Sequence, residues 1–170
     1  MKYINSYLIM LTCLFCSCLT TKGLLSPNQF KLLQKKQMSL NQTFANSAKW
    51  SRELAMQKSL FNNFNSSDTV WIIERIDEVD KKVYSLAWDN KRETIIKYNN
   101  EQNFNYYFLD YKELADPLKT IVEEFSVKDI DNTKSYIGAY HVFISQITER
   151  EVKSHYFLDF TPLEYFKVDH

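Results

Sequence analysis

The spacing of apolar positions changes along the chain, and each change marks a new element. After Pro27, residues 28–64 contain neither glycine nor proline, and apolar positions recur at helical intervals. Counting alternately by three and four from Phe30 gives Leu33, Gln37, Leu40, Phe44, Ser47, Ser51, Leu54, Lys58 and Phe61; six of these ten are apolar. Met38, Ala45, Ala48 and Ala55 widen the stripe, and Ser26-Pro27 supplies a helix start, serine as N-cap and proline at the first helical position. This predicts an amphipathic helix or a pair of helices. Gln37, Ser47, Ser51 and Lys58 interrupt the seam, which argues against a coiled coil; the apolar face needs cover, and the chain's own sheet is the simpler source of it, with a partner chain as the alternative. A polar break over 62–68 separates this segment from strand-like runs at 70–76, 82–88, 93–98 and 104–109. In the first run Trp71 and Ile73 oppose Val70, Ile72 and Ile76, as in a strand covered on both faces. In the second, large Tyr84, Leu86 and Trp88 alternate with small Val83, Ser85 and Ala87. Turns at 89–92 and 99–103 join the runs into an antiparallel meander.

The period returns to helical over 110–125, where Leu114, Leu118, Ile121, Val122 and Phe125 share a face and Asp116-Pro117 can restart the helix. A charged loop follows over 126–134, then a hairpin of 136–147 and 152–160 with its turn at 148–151, and a tail whose Leu163, Tyr165 and Phe166 are expected on the core. The fold class read from this order is α+β. An N-terminal amphipathic helix or helix pair and a second helix pack on one face of an antiparallel sheet of about six strands. The order resembles that of cystatin-like and other helix-on-sheet exported proteins, without a motif that carries residues across.

The first 18 residues have a different character. Lys2 is a positive start, and residues 7–16 form an uncharged apolar run, the length of the apolar region of a signal peptide. It is too short to span a bilayer, which takes about 20 apolar residues. The run ends in Phe15-Cys16-Ser17-Cys18, where the sequence resembles a bacterial lipoprotein precursor. The resemblance covers residues 1–18 and implies cleavage after Ser17, acylation of Cys18 with a diacylglyceryl and palmitate-type anchor, and a cell-envelope location. Phe15 and Cys16 depart from that family's usual Leu and small residue, and plain secretion with cleavage near Cys18 is the alternative. The domain reading is a signal peptide at 1–17, a tether at 18–25 and one α+β domain at 26–170.

Removing 17 residues from a chain of 170 leaves 153, enough for one domain that buries about 68–70% of its unfolded surface. Only Gly23 and Gly138 are glycine, which excludes P-loops and dinucleotide-binding glycine turns. All three cysteines precede residue 19, so thiol catalysis, thiolate metal sites and disulfide stapling of the domain are excluded. The zero formal charge is unevenly spread. Lys31, Lys35, Lys36, Lys49, Arg52 and Lys58 face only Glu53 over 28–64, whereas 13 basic and 20 acidic residues follow. The acidic larger part argues against nucleic acid, and the basic segment beside a lipidated end suits an anionic membrane surface. The competing reading, and the favoured one, is that these lysines are only a helix's solvated face.

No constellation for catalysis, metal or cofactor stands out, so none is expected. His141 and His155 fall on the final hairpin; a four-residue turn pairs His141 with Leu158 and His155 with Ile144, on opposite faces. Asp129, Asp131 and Thr133 hint at a calcium loop, but Lys134 replaces the required glycine and Tyr140 the bidentate glutamate. Glu74, Asp77, Glu78 and Asp80 read as a charged turn. The aromatics are the most distinctive feature: Phe104, Tyr106 and Phe108 share one strand face and Tyr107 the other. Tyr84, Trp88, Tyr98 and Tyr107 form the candidate aromatic binding face for a protein or glycan partner, with core filling as the competing role. The functional expectation is a non-enzymatic, lipid-anchored envelope binding protein. The alternatives are a ligand-binding or hydrolytic protein with a helix-on-sheet pocket, and an envelope inhibitor or immunity-type protein.

Overall fold

The computed structural model describes residues 25–65, 68–100, 103–127 and 140–159. Two helices open the described chain, α1 (Pro27–Leu40) and α2 (Gln42–Gln57). Ser26 caps α1 with Pro27 at its first turn, as the sequence predicts. The predicted helical stretch is a pair because Asn41 stops one helix and starts the other. Its backbone is extended (φ −157°, ψ 103°), its N–H bonds the Gln37 carbonyl at 2.9 Å, and its side chain accepts the Phe44 N–H at 3.3 Å. The break resets the helical phase. Leu40, inside a stripe counted continuously, is 43% exposed, and the buried face of α2 comprises Phe44, Ala45, Ala48, Ser51, Arg52 and Ala55.

A 3-10 turn at Leu60–Asn63 leads into β1 (Val70–Ile76), β2 (Val83–Asp89), β3 (Ile95–Asn99) and β4 (Asn105–Leu109). A second 3-10 turn precedes α3 (Asp116–Val127), and β5 (Tyr140–Ile147) and β6 (Val152–Asp159) close the described chain. The sheet has six antiparallel strands in the order β4-β3-β2-β1-β5-β6, the predicted meander with the second hairpin added beside β1. Asp89 builds the β2–β3 turn, its carboxylate accepting the N–H groups of Lys91, Glu93 and Thr94 at 2.8–3.2 Å.

Helices cover both faces of the sheet, not one. Every residue of β1 and β2 is buried, so neither face could be left in water. Trp71, Ile73, Tyr84, Leu86, Trp88 and Ile144 meet Leu118, Val122 and Phe125 of α3. On the opposite face Val70, Ile72, Ala87, Ile96 and Ile147 meet Leu33 of α1, Ala55 of α2 and Leu60, Phe61 and Phe64. Alanine and serine on the buried side of α2 let that helix approach closely. On this face Gln37, Ser51, Arg52, Glu74 and Ser145 are buried as well. Ser126 and Val127, expected in the charged loop over 126–134, are instead the last residues of α3, and Cys18, the rest of that loop and the tail lie outside the described residues.

Candidate functional site

The hairpin of α1 and α2 buries an ion pair against the sheet. Glu74 of β1 and Arg52 of α2 are 0% and 1% exposed, and Nη1 of Arg52 lies 2.6 and 2.5 Å from the two carboxylate oxygens. Gln37 of α1 donates to Glu74 at 2.8 Å and to Ser145 of β5 at 3.2 Å, and accepts from Arg52 at 2.9 Å. Arg52 Nη2 donates to Gln34 at 2.8 Å, and Ser145 and Ser154 are joined at 2.9 Å. Burial pushes the Glu74 carboxyl above its ordinary value, and the Arg52 charge and the Gln37 and Arg52 hydrogen bonds oppose that push. With both oxygens engaged and no exposure, Glu74 presents no free carboxylate to a solute.

Beside this layer residues of α1 and α2 line an open groove of about 600 Å³, within the roughly 300–1,000 Å³ that ligand pockets occupy. Pro27, Phe30, Met38 and Met56 supply its apolar surface. Lys31, Lys35 and Lys49 stand on it with Glu53 the single acidic lining residue, and Gln34 and Arg52 connect it to the layer below. The arrangement suits a ligand with an apolar part and a negative charge.

The four aromatics singled out from the sequence do not make one surface. Tyr84 and Trp88 are 3% and 0% exposed on the α3 face, where Trp88 stacks on Trp71 at 6.2 Å and donates its indole N–H to Ser126 at 3.0 Å. Tyr98 is fully buried on the opposite face against Phe61 and Phe104, and burial pushes its phenol far above the ordinary value. Only Tyr107 of the four is exposed, at 42%. The expected platform fails because two of its strands are central and covered twice; core filling claims Tyr84, Trp88 and Tyr98. Apart from Trp50 of α2, the exposed aromatics among the described residues are on edge strand β4. Phe104, Tyr106 and Phe108 form a ladder with centroids 6.2 Å apart at each step, and Tyr107 points to the other face.

His141 pairs with Leu158 and His155 with Ile144, the register read from the turn, and the two rings face opposite sides. His141 stacks on Phe44 at 3.6 Å, bonds the Tyr156 hydroxyl, and lies 3.9 Å from Glu78. Burial holds it below the ordinary imidazole value, Lys81 adding to that effect and Glu78 opposing it. The acidic cluster is dispersed: Glu74 is in the buried layer, Asp77 accepts the N–H groups of Val79 and Asp80, and Asp80 pairs with Lys82 at 3.0 Å. Among the described residues no cluster of His, Cys, Asp and Glu could hold a metal ion, and no helix is long and apolar enough to cross a membrane. Asp129, Asp131 and His170 lie outside the described residues.

Sequence reasoning missed the Gln34–Gln37–Arg52–Glu74 network. Its signal was present in the polar interruption at Gln37, which is 0% exposed. Comparison with known proteins returns no match to a family model, a curated protein or a solved structure.

Proposed function

We propose that the chain is a non-enzymatic binding protein of the cell envelope, exported, cleaved after Ser17 and held to a membrane by lipid on Cys18, with the α1–α2 groove as its binding face. The observation that carries this reading is the groove itself: an apolar surface with three lysines, on the hairpin that directly follows the tether. The signal-like residues 1–18 support the location. A second reading, recognition of a cognate protein by β4, is supported by the exposed Tyr106, Tyr107 and Phe108.

Intact and native mass spectrometry of the protein from its own membrane fraction tests the proposal. The expected species starts at Cys18, carries diacylglycerol-sized added mass, and retains a non-covalent adduct that Met56→Lys loses. A Cys18→Ala variant with unchanged mass and membrane association removes the anchor. An adduct that survives Met56→Lys and disappears in Phe108→Asp moves the binding face to β4.

A further inference from the structure

We infer that the occupant of the α1–α2 groove is an anionic phospholipid of the anchoring membrane, its phosphate among Lys31, Lys35 and Lys49 and its upper acyl carbons on Phe30, Met38 and Met56. This deepens the proposed binding role of the groove and rests on it.

Charge is the first argument. The segment Pro27–Leu40 contains no acidic residue. Lys31 and Lys35 stand one turn apart, a spacing at which like charges repel, and neither has an ion-pair partner among the described residues. Across the groove, Lys49 has only the exposed Glu53 at 3.6 Å, a contact that water screens. Arg52 adds no free charge, because Glu74 neutralises it. A single phosphodiester among these lysines relieves their repulsion without having to break a buried pair.

The apolar surface between the lysines is the second argument. A free inorganic anion would leave Phe30, Met38 and Met56 wetted, whereas the glycerol and first methylenes of a lipid cover them. The third is reach. Pro27, which lines the groove, is nine residues from Cys18. At about 3.3–3.6 Å per residue, a fully extended tether of that length spans at most roughly 30 Å. An anchor at Cys18 therefore holds the groove within that distance of the lipid surface. The flanks of the same helices expose Leu32, Leu40 and Trp50 at 52%, 43% and 55%, side chains that an interfacial setting accommodates.

The test uses a chain that begins at position 18 with Cys18→Ser, which contains every described element and no cysteine or lipid. It is floated with phosphatidylcholine vesicles made with and without phosphatidylglycerol. Binding is expected only to the anionic vesicles. Lys31→Gln with Lys35→Gln should lower partition roughly 30-fold, about fivefold per lysine. Lys36→Gln with Lys58→Gln removes the same charge outside the groove and should change it by less than about twofold. A fluorophore on Met38→Cys should shift to the blue on anionic vesicles. Equal losses in the two lysine pairs, equal binding to both vesicles, or displacement by inorganic phosphate at constant ionic strength overturns the assignment. Because this chain carries no lipid, failure here leaves the anchor, read by mass, standing.

Discussion

Removing Arg52 should strand a carboxyl in the core. In Arg52→Met the methionine fills much of the arginine's volume, but Glu74, 0% exposed, keeps only the Gln37 amide as donor. Breaking one side of a buried pair costs about 3–5 kcal/mol, a large share of the roughly 5–15 kcal/mol that stabilises a domain. Urea unfolding followed by tryptophan fluorescence measures the loss. Its pH dependence identifies the cause. The folded-state Glu74 pKa is already raised by burial, and loss of Arg52 raises it further. Between the unfolded value, about 4.3, and the folded one, the native state binds the proton more tightly than the unfolded chain, so stability falls as pH rises. The Arg52→Met deficit relative to wild type should therefore be smallest at about pH 4.3 and below, and grow by up to about 1.4 kcal/mol per pH unit at higher pH until the variant's folded pKa is passed. Arg52→Met with Glu74→Leu removes both charges and should recover most of the stability with a flatter profile. A single variant within about 1 kcal/mol of wild type, or one whose deficit does not grow with pH, would refute the reasoning.

Three further expectations concern separate parts of the fold. Burial lowers the His141 pKa, so its contribution is complete above the unfolded value of about 6.5 and is lost as pH falls from there through the lower folded value; thermal unfolding from about pH 8 to 5 should show a steeper decline in wild type than in His141→Gln. Asn41→Ala removes the cap on which α2 begins and should cost about 1 kcal/mol by urea unfolding, whereas Asn41→Ser should restore most of it. Tyr106→Lys with Phe108→Lys should leave stability within about 0.5 kcal/mol and reduce concentration-dependent association by light scattering, because these rings are exposed on an end strand of the described sheet.

Much of the fold was legible because its signals are local. Ser26-Pro27 starts α1, Asp116-Pro117 begins α3, and the alternation in β1 and β2 survives as two sets of buried side chains. The histidine register followed from counting across one turn. The apolar moments of both helical regions likewise required cover, though not where that cover lay.

What only the tertiary structure decided are relations between distant segments. Tyr84 and Trp88 have the same alternation whether a helix or water covers their face; α3 settles it by burying them. Placing α3 opposite the hairpin, not beside it, follows from strands apolar on both sides, a fact spread over β1 and β2. The partnership of Gln37, Arg52 and Glu74 joins residues 15 to 37 positions apart, and periodicity carries no information on which polar side chains will meet. The groove is decided the same way. In the sequence its lysines read as a solvated helix face and Met38 as part of the apolar stripe, and they become one site because Asn41 separates two helices that pack side by side. Sequence fixes which residues must leave water through their local period; packing decides which of the remainder share a surface, because that depends on the angle between elements that no single stretch contains.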